Sequence, residues 1–385
     1  MEYRPIQNRC LTEYTEAGAI AKFYGFQPII APEVVKADLD AVKHLDQALN
    51  PEEKSALLRM YFEEKIYAGV QPTMLWMECP FKGAGEKKRP NRLECYLTSL
   101  GSTKAITDCI TIRAGLSILQ TLGYKNVELR LNSIGDKESV AEFERKVHLF
   151  VKKNFNSFPP DLRQALKKDI FTLARETRDE WQGFQSECPK PIDFLSEASR
   201  AHFKEVLEFL ESMNVNYTID HKLLGDMHFG SETVFSFVES KKKSNKEEML
   251  GLGIRSNRLA KKIGLKKEVP FVMLHLNAKL KKILKRVKAK NSPPDFYLVQ
   301  FGPEAKLKSL LVLEELRKLG KSVTHAIAKD KLASQIGLAE DSGIPYIILI
   351  GQKEALENSV LLRNSITRAQ ELIPIPELAF RLKKL

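Results

Sequence analysis

The sequence predicts two units of different class: an α+β domain over residues 1–292 built on an antiparallel sheet, and an α/β domain over residues 293–385. Three observations carry this. At Asn291-Ser292-Pro293-Pro294 two successive prolines cannot continue a helix. After that point strand and helix patterns alternate regularly. Before it, strand patterns are followed by a long helical stretch and then by more strands.

The second unit is the more regular. Phe296 to Phe301 reads as a strand ending at Gly302. Glu304 to Leu319 carries helix-period apolar residues and stops at Gly320, a good C-cap. Val323 to Ile327 is a second strand, Lys331 to Asp341 a second helix, and Tyr346 to Ile350 a fully apolar third strand. The alternation predicts a parallel sheet. In the first unit, Ala19 to Tyr24 reads as a helix and Pro28-Ile29-Ile30 as a strand. Met74 to Met77 and Arg92 to Leu97 read as paired strands around a basic loop, Lys82 to Asn91. A helix from Asp108 to Leu122 ends at Gly123, and strand Val127 to Asn132 follows. Residues 137–212 are read as a helical insertion. The strand-like segments 217–219, 233–238 and 269–276 complete the unit.

Lys plus Arg exceeds Asp plus Glu by 61 to 49, a formal charge of +12, which fits a polyanionic partner or simply a solubilising surface. The five cysteines, at 10, 79, 95, 109 and 188, form no C-x-x-C pair, which argues against a disulfide framework and a zinc ribbon. No metal site is expected. No signal-peptide pattern opens the sequence, and the most apolar run, Ile344 to Ile350, is too short to span a bilayer. Together these predict a cytoplasmic protein without a membrane partner. One further segment stands out. Lys279 to Lys290 contains seven cations and no acid, with Leu280, Ile283, Leu284 and Val287 at helical spacing. This predicts an amphipathic helix whose cationic face either contacts nucleic-acid phosphates or is merely solvated.

Several runs, in consistent order, resemble the histidyl-tRNA synthetase family of class II aminoacyl-tRNA synthetases. Tyr24-Gly25-Phe26 followed by Ala31-Pro32 resembles motif 1, the class II dimer element. Leu49-Asn50-Pro51-Glu52-Glu53-Lys54 resembles a worn L-R-P-E-G-T. Leu131 to Asp136, after Leu122-Gly123-Tyr124, resembles the segment following motif 2, and Thr233-Val234-Phe235 the family's T-V-F strand. The last ninety residues or so resemble its anticodon-binding domain. The resemblance implies a class II sheet domain with a helical insertion, an anticodon-binding-like α/β domain, and a homodimer.

It also implies that the chemistry is degenerate. Amino-acid activation needs cations around the triphosphate and a polar pocket that reads the amino acid. The motif 2 arginine of F-R-x-E falls on Lys82, and its glutamate on Ala84. In the run corresponding to L-V-R-G-L-D-Y-Y, the catalytic arginine falls on Gly225, the aspartate on His228, and the tyrosines on Phe229 and Gly230. The adenine-stacking arginine of motif 3 falls on Lys279 and its glycine on Leu276, which is expected to fill the nucleotide's space. The glutamine of F-H-Q falls on Leu97. Glu52, Arg255 and His228 are left as pocket remnants. Nucleic-acid contacts are expected from Lys281, Lys282, Lys285, Arg286 and Lys288, and from Lys331 and Gln335 in the anticodon-like domain. No cofactor is expected, ATP and Mg being needed only if the chain is active. The resemblance thus implies a non-catalytic protein that binds tRNA or other RNA. A divergent active histidine–tRNA ligase and a regulatory subunit of the ATP phosphoribosyltransferase type are the alternatives.

Overall fold

The structure is a computed structural model describing residues 6–45, 50–78, 81, 91–175, 179–240, 247–289, 293–329 and 331–385. β1 (Glu13–Thr15) leads into α1 (Glu16–Phe23), and Gly25, at φ +91°, turns the chain into β2 (Gln27–Ile29). α2 (Lys36–Val42) and α3 (Pro51–Glu63) follow, the latter with proline in its first turn, where the missing N–H costs nothing. β3 (Thr73–Glu78) and β4 (Arg92–Leu100) pair antiparallel, as expected. α4 (Ala105–Thr121) is closed by Gly123 at φ +97°, and β5 (Glu128–Ser133) follows.

The predicted helical stretch comprises α5 (Lys137–Asn154), α6 (Pro160–Lys168), α7 (Thr172–Arg175), α8 (Gln182–Glu187) and α9 (Glu197–Ser212). Then come β6 (Thr218–Ile219), β7 (Thr233–Ser240), β8 (Glu247–Ser256), α10 (Leu259–Lys262), β9 (Phe271–Lys279) and β10 (Arg286–Lys288). Eight of these strands form one sheet in the order β2-β3-β4-β9-β8-β7-β5-β6, antiparallel except at its two edges. Sequence patterning missed β8, whose glycines interrupt the apolar alternation. They are required by packing: a Cβ on Gly253 would lie 2.0 Å from the Phe235 ring, and one on Gly251 2.5 Å from Leu276.

Alternation along the strands separates two cores. Cys95, Leu97, Phe235, Phe237, Leu274 and Leu276 point to the face covered by α1 and α4. Tyr96, Val234, Ile254 and Met273 point to the other, covered by α3, the 223–230 segment and α5 to α8, while α9 packs on the α4 side.

The final unit contains β11 (Phe296–Gln300), α11 (Pro303–Lys318), β12 (Val323–His325), α12 (Leu332–Asp341), β13 (Tyr346–Ile350), α13 (Gln352–Leu356), β14 (Ser359–Asn364), β15 (Gln370–Pro374) and α14 (Ile375–Leu382). Its sheet runs β12-β11-β13-β14-β15. The three predicted strands are parallel, but β14 and β15 add antiparallel, so the sheet is mixed rather than purely parallel. The unit docks through α11. The Tyr24 hydroxyl donates to Glu314 (2.5 Å) and meets Ser117 at 2.9 Å, while Arg113 also pairs with Glu314. The core on the α1/α4 face continues into this unit through Phe296, Leu298, Leu310 and Leu313.

The predicted cationic helix is not formed. After β9 the chain runs irregularly through residues 280–285, and Arg286–Lys288 pairs antiparallel with Glu13–Thr15. Pairing across to Glu13 places an acid opposite Lys288, which relieves a repulsion that seven clustered cations would face on one short helix. Ile283, expected on a buried helix face, is 91% exposed. Among the described residues no helix is long and apolar enough to cross a membrane.

Candidate functional site

The pocket face of the large sheet is built around the start of α3. Asn50, in the left-handed region at φ +48°, turns the chain so that Glu52, Glu53 and Lys54 enter the first turn of α3 over the sheet. Glu53 is fully buried, and the Tyr96 hydroxyl donates to its Oε1 at 2.9 Å. Lys54, also buried, donates to the Asn50 carbonyl at 3.4 Å and lies in the field of Glu53, Glu52 and Asp226. Burial pushes the Glu53 carboxyl up, an effect that the Tyr96 hydrogen bond and Lys54 partly offset. Burial pushes the Lys54 ammonium down, and Glu53 and Glu52 partly offset that. Each group therefore supports the other's charge against desolvation.

Tyr96 is the centre of this face. Its ring stacks on His275 with centroids 4.4 Å apart and planes 3° from parallel, and Phe81 meets it edge-on at 5.1 Å. His275 Nε2 lies 3.1 Å from Glu94 Oε1. Glu53, Lys54, Tyr96, His275 and Glu94 thus pack into one mixed ionic and aromatic cluster. The resemblance did not single these residues out. The signal was nonetheless present: where the family pattern has Gly-Thr, the sequence has Glu-Lys on a helix otherwise facing a core.

The residues named from the sequence divide. Glu52 lies at this face, half-buried, and its Oε2 is buried without a hydrogen-bond partner. Gly225 takes φ +59°, and a Cβ there would lie 3.2 to 3.5 Å from Val234 and Ile254. Its neighbour Asp226 turns back to accept the backbone N–H groups of His228 and Phe229. His228 itself is exposed, with its backbone N–H held by Asp226. Lys82 falls outside the described residues.

Four readings are corrected. Arg255 is not a pocket remnant. As an odd-numbered residue of β8 it points to the α4 face, fully buried, where its Nε donates to both oxygens of Asp108 at 2.9 and 3.1 Å. Its other nitrogens donate to the Ser102 and Lys104 carbonyls and to Thr107 Oγ1. Leu276 and Leu97 also point to the α4 face, so neither obstructs a ligand on the pocket side. Lys279, the last residue of β9, stands four residues beyond His275, roughly 13 Å along the strand, and is exposed.

The nucleic-acid candidates separate as well. Lys281 pairs with Glu239 and sits 3.9 Å over the Tyr124 ring, and Lys282 pairs with Glu16 at 3.6 Å. Lys285, Arg286 and Lys288 are exposed, and no ion pair engages them among the described residues. Lys331 is exposed at the start of α12. Gln335 is corrected: it is fully buried and clasps the backbone of Gln300, accepting from its N–H at 3.1 Å and donating to its carbonyl at 2.7 Å. It cannot reach an RNA.

Comparison with known proteins agrees with this architecture. The family model described as "Anticodon binding domain" matches residues 296–385. A histidine–tRNA ligase of Lactococcus lactis subsp. cremoris (strain SK11) is 26% identical over 351 residues, covering 89% of this chain and 80% of that protein. One from Lactobacillus delbrueckii subsp. bulgaricus (strain ATCC BAA-365 / Lb-18) is 28% identical over 334 residues, covering 82% and 76%. Apo histidyl-tRNA synthetase of S. aureus has the same fold, with a TM-score of 0.52 at 21% identity over 94% of this chain and 93% of that one.

Proposed function

We propose that the chain is a non-catalytic member of the histidyl-tRNA synthetase family that binds tRNA, a reading supported by its histidine–tRNA ligase relatives and by the anticodon-binding match. The observation that carries this reading is Glu53 and Lys54. They stand where the family pattern has Gly-Thr, and they fill the sheet-side space beneath α3 with two buried opposite charges, Glu53 being held by Tyr96. An amino acid entering there would have to displace both charges from their partners. Leaving a buried group without its hydrogen-bond partner costs about 1–3 kcal/mol, and more for a charged one.

Gly225 supports the same reading. Activation needs a cation where charge develops on the α-phosphate, and a single donor of that type is worth about 3 kcal/mol. The matching position carries no side chain at all. Among the described residues, those around Tyr96 also favour ATP and Mg little: Lys279 is exposed four residues along β9 from His275, while Glu53 and Glu94 set buried carboxylates beside the Tyr96 ring. RNA binding is supported by the anticodon-binding match and by the exposed cations Lys285, Arg286, Lys288 and Lys331. The working assembly in this reading is a cytoplasmic homodimer formed through the segment around Pro32.

The test is pyrophosphate exchange with ATP and each of the twenty amino acids, run beside tRNA binding at several salt concentrations. The expected result is no exchange above background, with tRNA affinity falling steeply as salt rises. Histidine-dependent exchange would instead establish the divergent active ligase, the reading that the relatives' names favour.

A further inference from the structure

The C-terminal unit is joined to the first unit around the turn from α1 to β2 and the α4 face beside it. Four polar side chains meet at this joint. The Tyr24 hydroxyl donates to Glu314 of α11, and Arg113 of α4 pairs with the same carboxylate. Lys104, at the head of α4, donates to the Ala328 carbonyl at 2.8 Å. The fourth is His325, the last residue of β12, whose ring lies against Gly25. A Cβ on Gly25 would stand 3.2 Å from its Cε1 and 3.4 Å from its Nε2.

His325 differs from the other three in what it lacks. Its Nε2 is buried and has no hydrogen-bond partner among the described residues. The residue as a whole is half-buried, because β12 is an edge strand, yet this ring nitrogen is enclosed. In register His325 stands beside Leu298, on the sheet face whose core continues into the first unit. The ring is therefore shut in by the docking of the two units, and their separation would open it to water.

The charged groups on the elements packed here are engaged elsewhere. Lys22 of α1 lies 5.9 Å from the Tyr14 ring, and Lys104 is on Ala328. Glu314 is shared by Tyr24, Arg113 and Arg317. Among the described residues no carboxylate pairs with His325 to support an imidazolium. Burial pushes its imidazole down to about 4, and the Tyr24 backbone offsets this only in part.

We propose that His325 makes this joint acid-sensitive: its protonation drives the ring off Gly25 and loosens the C-terminal unit while both cores stay folded. The docked ring takes a proton only near 4, whereas a ring released to water takes one near the ordinary 6.5. Between those values the released form binds more protons. Docking is thus strongest above 6.5 and weakens as pH falls toward 4. At about pH 5.5 the docking equilibrium is expected to be about tenfold weaker than at about pH 7.5. Glu314 acts lower. Burial would raise its carboxyl, but Arg113 and Tyr24 outweigh it and hold it below its ordinary 4.5, so its share is lost only as pH falls through that lower value. This device is independent of RNA binding.

Hydrogen exchange of the full-length chain reads the opening of the joint directly, as protection relative to an unstructured peptide at each pH. The reporters are the Tyr24, Gly25 and Phe26 amides, which bond back to Ile20, Lys22 and Ala21. The references are β4 and β9 inside the first unit, and β11 and β13 inside the second. Between about pH 7.5 and about pH 5.5 the reporters should lose about tenfold in protection while the references keep theirs. His325→Gln, which cannot take the proton, should abolish that loss, whereas Glu314→Gln should weaken docking at every pH and retain it. Reporter protection that does not change with pH overturns the proposal. So does an equal loss in His325→Gln, or a loss shared by the reference strands. If His325→Gln does not fold, histidine resonances of the parent decide the matter: His325 titrating near 6.5 in the docked chain overturns the proposal, and titration near 4 sustains it.

Discussion

Replacing Arg255 by methionine separates a structural arginine from a substrate-reading one. In the native chain the guanidinium is completely buried and donates to Asp108, Ser102, Lys104 and Thr107. Methionine fills much of the same volume but leaves Asp108 with only His202 and Thr233 as partners, and leaves two carbonyls without that donor. Removing one member of a buried ion pair costs about 3–5 kcal/mol. The Ser102 carbonyl, which loses the Arg255 donor, would add to this, whereas the Lys104 carbonyl keeps two bonds from Thr107. A loss of about 4 kcal/mol corresponds to roughly a thousandfold in the unfolding equilibrium. Urea unfolding followed by near-ultraviolet circular dichroism reads it directly. The acid limb gives a second readout. Burial alone would raise the Asp108 carboxyl, but Arg255 and His202 outweigh it and hold it below its ordinary 3.8. Its contribution is therefore present above that value and lost as pH falls through the lower folded value. In the variant burial is opposed by His202 and Thr233 alone, so acid sensitivity should move to higher pH. A variant within about 1 kcal/mol of the parent, with an unchanged acid limb, would refute the structural role, because that is the behaviour of a pocket arginine away from the core.

Three other outcomes are expected. Gly225→Arg should not restore histidine-dependent pyrophosphate exchange, since φ of +59° costs an arginine about 1–2 kcal/mol and the Glu53 and Lys54 charges remain in place. Joint reversal of Lys285, Arg286 and Lys288 to glutamate should weaken tRNA binding for all sequences alike, lowering the slope of log affinity against log salt by about one for each phosphate no longer neutralised; an unchanged slope would place the RNA elsewhere. Light scattering at micromolar concentration should give twice the 43.8 kDa chain mass, and a single-chain mass would end the homodimer proposal.

The architecture was legible wherever one residue pattern had one physical solution. Gly123 and Gly320 closed their helices as expected, and the apolar run Tyr346 to Ile350 became a strand central to its sheet. What misled was context. Lys279 to Lys290 has helical spacing, but Arg286 to Lys288 found a partner strand at Glu13 to Thr15, far earlier in the chain, which no local pattern reveals. Strand parity decided the site. Leu97, Arg255 and Leu276 matched family positions by order alone, and a register of period two sends all three to the opposite face from Tyr96 and His275. Glu53 and Lys54 were legible in principle, because two adjacent charges inside a core-facing helix demand partners.

The bond from Tyr24 to Glu314 bears on how far apart two grips on an RNA can be. Proteins that hold a ligand at two places through a loose tether sample many separations, and the second grip is diluted accordingly. Here α11 is fastened to α1 and α4 by Tyr24, Arg113 and a shared apolar interior. The exposed cations of the β1–β10 ribbon and Lys331 on the C-terminal unit therefore stand at a set spacing. A folded RNA of matching span would meet both at once without first ordering the protein, whereas one of another span would be held by a single end. If RNA is bound as proposed, discrimination by length, rather than by sequence, would follow from that fixed reach.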